Sequence, residues 1–100
     1  MTSRVLLHAP TPDALERARS NARNLLKDMP EAQIRIIANA QAVQACVQGM
    51  EHDLDTVTFL CPNTLRNQSL RAPERFQVLA QGAITTLVQL QAENWIYIRA

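Results

Sequence analysis

Thr56-Val57-Thr58-Phe59-Leu60-Cys61-Pro62-Asn63-Thr64-Leu65-Arg66 changes character in its middle. Val57 to Leu60 carry β-branched or large apolar side chains and run straight into Cys61, after which Pro62 and Asn63 precede a helical pattern. The expected structure is a buried strand from Thr56 to Leu60 that stops at the cysteine. Pro62 then lies outside the ladder, and Asn63 or Thr64 caps a helix whose unpaired amides point back toward the sulfur. In an open α/β sheet, ligands collect at the carboxyl ends of the strands, so a thiol at that point stands where such folds do their chemistry.

Working outward, the same alternation of strand and helix recurs. Val5-Leu6-Leu7 reads as a short strand ending at His8-Ala9-Pro10, with Pro10 and Pro12 preventing its continuation. Asp13 opens a helix whose apolar stripe is Leu15, Ala18, Ala22, Leu25, Leu26 and Met29. Pro30 ends it, and Ile34 to Ala38 form a second strand closed by Asn39. From Ala40 to about Met50, Val43, Cys46, Val47 and Met50 share one helical face. Residues Asn63 to Glu74 are polar and read as a short helix and a loop. Phe76 to Ala80 read as a fourth strand, with a short helix as the alternative for so few residues, and Gly82 admits a helix with Ile84, Leu87, Val88 and Gln91 on one side. Asn94 can take the left-handed conformation that closes that helix before a fifth strand, Trp95 to Ile98. Strands separated by helices imply an α/β fold, about five mostly parallel strands with helices on both faces.

Composition narrows the class of function. With 100 residues, 47% hydrophobic and 19% charged, the chain suits one ordered domain, 1–100, whose core is adequate but small enough for oligomerisation to complete it. Ten basic and nine acidic side chains nearly cancel, and no window interleaves Lys or Arg with aromatics, which argues against nucleic acid. No apolar run approaches the roughly 18 residues of a membrane span. The first residues lack the apolar core and cleavage site of a secretory signal, so a cytoplasmic location is expected. The two cysteines then read as free thiols.

Cys61 has two readings from position alone: a small buried hydrophobe ending a strand, or a reactive thiol. Reactivity requires a lowered pKa. The candidate causes are the helix amides after Asn63, the guanidinium groups of Arg66, Arg71 and Arg75, and His8 if the first strand ends beside the third. The three arginines also read as an ordinary solvated loop. Cys46 lies on an apolar stripe and reads as inert packing. His8 either orients or deprotonates a partner or is structural, and Asn39 either presents an amide to the same edge or serves the turn. His8, Cys46, His52 and Cys61 have no metal-ligand spacing, and two glycines make no phosphate loop, so neither a metal nor a nucleotide cofactor is expected.

Several pieces in order resemble a known family. They are Val5-Leu6-Leu7-His8, Asn21-Ala22-Arg23-Asn24-Leu25-Leu26, the strand from Ile34 to Asn39, Cys61-Pro62-Asn63-Thr64-Leu65, and Leu90-Gln91-Ala92-Glu93-Asn94-Trp95-Ile96-Tyr97-Ile98. Together these resemble the small single-domain DsrE-like proteins, the group that includes the DsrE/DsrF/DsrH and TusB/TusC/TusD sulfur-relay subunits. The resemblance spans nearly the whole chain and departs from the pattern at Asn94, where a glycine is expected. It implies a three-layer α/β/α sandwich, a homo-oligomer such as a trimer or hexamer, and a cysteine that carries sulfane sulfur as a persulfide between donor and acceptor proteins. Cys61 is the only position that can take that role. His8, Asn39, Asn63 and Thr64 are then its neighbouring polar groups. The alternative is a non-catalytic oligomeric module of the same fold, binding a small ligand or a protein, with Cys61 structural.

Overall fold

The computed structural model describes residues 2–100. The strands β1 (Arg4–Ala9), β2 (Gln33–Ala38), β3 (Thr58–Leu60), β4 (Gln77–Val78) and β5 (Ile96–Arg99) make one sheet in the order β4-β3-β2-β1-β5. Every neighbouring pair is parallel. The helices are α1 (Pro12–Asp28), α2 (Gln41–Gln48), α3 (Pro62–Asn67) and α4 (Ala83–Ala92).

This order dictates the layering. Successive strands β1 to β4 step in one direction across the sheet, and β5 returns past them to the far side of β1. Because parallel crossovers are right-handed, reversing the direction of travel moves the connecting helix to the opposite face. The two cores follow that rule. Val5, Leu7, Ala9, Ile34, Ile36, Ala38 and Leu60 pack with Ala14, Leu15 and Ala18 of α1, Ala42, Val43 and Cys46 of α2, and Leu65 of α3. On the other side Leu6, Ile37 and Cys61 pack with Ala83 and Leu87 of α4 and with Trp95. The strands are apolar at consecutive positions because both faces are covered. The result is the expected three-layer α/β/α sandwich.

Local chemistry sets the element ends, and several differ from the pattern reading. Thr11, not Asp13, begins α1: its hydroxyl accepts the Ala14 N–H at 3.0 Å, and Pro12 occupies the first turn, where a missing N–H costs nothing. The third strand is shorter than its apolar run, because Asp55–Val57 coil into a 3₁₀ turn before β3 starts at Thr58. The fourth strand contracts to Gln77–Val78, since Phe76 turns into the α1 side core. The fifth is displaced by one residue, to Ile96–Arg99, as Trp95 packs under α4. In α4 the inward side is Ala83 and Leu87, while Ile84 and Val88 are each 63% exposed. Asn94 does adopt the left-handed backbone, at φ 71°.

The 3₁₀ turn is held by an ionic knot. Asp55 is 1% exposed. Its Oδ1 accepts from Arg19 of α1 at 3.3 Å, and its Oδ2 accepts from Arg75 Nε at 2.7 Å and from the His52 N–H at 2.9 Å. Arg75 also donates to the Gly49 carbonyl at 3.1 Å, so one carboxylate ties α1, the end of α2 and the segment before β4. Removing it leaves two guanidinium groups without their buried counter-charge. We expect Asp55→Ala to lose about 3–5 kcal/mol of unfolding free energy in urea titrations. Asp53→Ala, which removes an exposed carboxylate that meets Arg23 at 2.6 Å and His52 at 3.1 Å, should leave the midpoint essentially unchanged.

Candidate functional site

Cys61 ends β3 at a point where the chain divides. After β3 the connection turns into α3, whose Leu65 joins the α1 side core, whereas after β4 it turns into α4 on the opposite face. Such a divergence at the carboxyl ends of adjacent parallel strands is the usual ligand position of open α/β folds. The Cys61 sulfur lies there, between the first residues of both helices.

The expected cap is shifted by one residue. Cys61 itself is the residue before α3, Pro62 takes the first helical position, and Asn63 and Thr64 supply N–H groups from inside the first turn. The Ala83 N–H at the start of α4 donates to Cys61 Sγ at 3.4 Å. Gly82 makes this approach possible: a Cβ there would lie 2.7 Å from Asn63 Nδ2. Burial pushes the thiol up, but the N–H groups of Thr64 and Ala83, the Thr64 hydroxyl and the Asn63 N–H outweigh it and hold the pKa below 9.0. The Thr64 hydroxyl in turn accepts the Ala40 N–H at 3.2 Å, so the end of β2 helps to aim it. Ala40 has φ 49° and ψ −136°, a positive-φ conformation outside the left-handed helical well that costs a non-glycine residue about 1–3 kcal/mol.

Other expected contributors stand elsewhere. Arg75 is committed to Asp55 and the Cys46 carbonyl on the α1 side of the sheet, and Arg66 donates to Asn63 Oδ1. Neither these arginines nor Arg71 is among the groups that lower the Cys61 pKa; hydrogen bonds do that work. Nor does β1 end beside β3, because β2 lies between them. His8 shares the α4 face with Cys61, and Asn39 follows β2 on that same face.

His8 and Asn39 are nevertheless joined. Asn39 Oδ1 can only accept, so His8 Nε2 carries the proton and donates to it at 2.9 Å. In the neutral ring, His8 Nδ1 is then the acceptor for the Tyr97 hydroxyl at 2.7 Å. Tyr97, Ala83 and Gly82 are the participants that sequence reading missed. Tyr97 reaches His8 only because β5 pairs with β1, in the register Leu6 to Tyr97. The period-two pattern of the last strand signals its alternate faces but not its neighbour. Cys46 is buried among α2 and the sheet, and burial raises its thiol from 9.0 to about 11.

Among the described residues, no group of three or more His, Cys, Asp or Glu could hold a metal ion. No protein-family model matches the chain, and no curated protein matches it.

The two thiols should separate by reactivity. Near neutral pH, iodoacetamide followed by peptide mass mapping should label Cys61 well before Cys46, and Thr64→Val should slow labelling of Cys61 by about three- to tenfold. Cys46 gives a stability signature of opposite location. Its folded pKa is raised, so its contribution is intact below pH 9.0 and is lost as pH rises toward about 11. Urea midpoints should fall across that window, and fall less in Cys46→Ala.

Proposed function

We propose that this chain is a DsrE-like sulfur carrier in which Cys61 accepts and passes on sulfane sulfur. The observation that carries the reading is the Ala83 N–H donating to the Cys61 sulfur at 3.4 Å where α3 and α4 both begin, in surroundings that lower the thiol pKa. In the accepting step the Cys61 thiolate attacks the outer sulfur of a donor persulfide, R–S–SH. The donor S–S bond breaks, R–S⁻ leaves, and Cys61–S–SH forms. In the donating step an acceptor thiolate attacks that outer sulfur and Cys61 leaves as its thiolate. The donors that lower the pKa serve both steps, since they populate the attacking thiolate and stabilise the same thiolate as a leaving group. Neither step calls for a metal or a nucleotide. His8, Asn39 and Tyr97 form a hydrogen-bonded polar row on the same face of the sheet, and Asn63 and Thr64 lower the thiol pKa from the first turn of α3.

The same reading includes a homo-oligomer. It is supported by the exposed apolar side chains of Ile96, Tyr97 and Ile98 on the open edge strand β5 and of Ile84 and Val88 on α4. No helix among the described residues is long and apolar enough to cross a membrane, which is compatible with work in the cytoplasm. One observation favours the competing class, a binding module with Cys61 merely packed: the residue is only 5% exposed.

Mass spectrometry after treatment with a persulfide donor decides between them. We expect the mass of one added sulfur atom on the Cys61 peptide, removable by a thiol acceptor and absent in Cys61→Ser. Sulfur found equally on Cys46, or on neither thiol of the folded chain, would leave the binding module as the correct reading.

A further inference from the structure

The amino edge of the sheet holds a cavity of about 380 Å³. That volume lies at the small end of small-molecule pockets, about 300–1,000 Å³. Leu26, Leu54, Val57, Phe59 and Trp95 make most of its wall, Arg35 is the one charged residue on it, and no acidic side chain lines it. An apolar wall with one cation selects for an apolar body bearing one negative charge.

The arginine is placed for that task. Its guanidinium carbon lies 4.6 Å from the centre of the Trp95 ring and 5.2 Å from that of Phe59. Stacking of this kind holds the guanidinium plane while leaving its N–H edge free to bond. None of the ion pairs among the described residues engages Arg35. Arg4 lies over the same Trp95 ring, at 5.4 Å, and is tied to the Glu93 carbonyl, so a second positive charge stands behind the indole. A planar carboxylate matches the free fork of Arg35 with two parallel hydrogen bonds, whereas its apolar remainder displaces water from the aliphatic and aromatic wall.

We infer that this cavity binds a small organic carboxylate with an aromatic or branched apolar body, its carboxylate on Arg35 and its body against Trp95, Phe59 and Leu54. The site is at the other end of the strands from Cys61 and stands whether or not that thiol carries sulfur.

Trp95 is the only tryptophan of the chain and reports on the cavity directly. Phenylacetate titrated into the full chain should change its emission saturably, with a Kd on the order of 1 mM or below. Phenylacetamide, nearly the same shape without the charge, should bind at least about tenfold more weakly, and inorganic phosphate at equal concentration should not compete. Arg35→Gln should bring phenylacetate down to the affinity of the amide, and Cys61→Ser should leave it unchanged. The acid–amide comparison uses the unaltered chain and so decides the matter even if Arg35→Gln folds poorly. Equal binding of acid and amide, displacement by phosphate, or no saturable change up to about 10 mM would overturn the assignment.

Discussion

A parallel sheet must be covered on both faces, and in this chain that requirement depends on one reversal of direction. Three successive crossovers proceed toward β4, then a single long one returns to β5. The handedness of parallel crossovers converts the reversal into a change of face, so α4 alone supplies most of the second layer. The change sends the paths that follow β3 and β4 to opposite faces. Cys61 stands where they part, beside the starts of two helices whose first amides have no intrahelical partners, and the Ala83 N–H donates to its sulfur.

The two cysteines illustrate how completely the environment sets thiol chemistry. Cys46 faces the α1 side core, near the Arg19–Asp55–Arg75 cluster, yet the guanidinium groups do not outweigh its burial and the thiol stays protonated. Cys61 is also buried, but the Ala83 N–H donates directly to its sulfur and the first turn of α3 starts beside it, and its pKa moves the other way. Direct donation outweighs desolvation in the second case, whereas more distant charge fails to do so in the first. Sequence proximity to arginine is therefore a poor guide to thiolate character, as the commitment of Arg75 to Asp55 makes plain.

The ends of the strands are chemically different. At the carboxyl edge, Tyr97, His8 and Asn39 form a hydrogen-bonded row on the face that holds Cys61, and the Thr64 hydroxyl accepts the Ala40 N–H just past the end of β2. At the amino edge the polar groups are few, and Arg35 is stacked on aromatic rings. The first is a polar, hydrogen-bonded surface; the second is an apolar wall with one stacked cation.

The alternation of buried strands with amphipathic helices was legible in the order of residues, because side-chain periodicity is a local property of each segment. So were the stop at Cys61 beside Pro62 and the left-handed turn at Asn94, where a single residue's stereochemistry decides. The short β4 and the outward side of α4 were not legible: Phe76 and Ile84 are apolar enough for either environment, and which one they meet depends on partners distant in the chain. Strand order is of the same kind. That β2 separates His8 from β3, that β5 brings Tyr97 to His8, and that Gly82 lets Ala83 reach the sulfur are consequences of packing across long sequence separations, which no local pattern encodes. The sequence by itself determined which segments become strands and helices; only the assembled sheet decided which side chains meet, since hydrogen bonds and burial act through distance in space rather than along the chain.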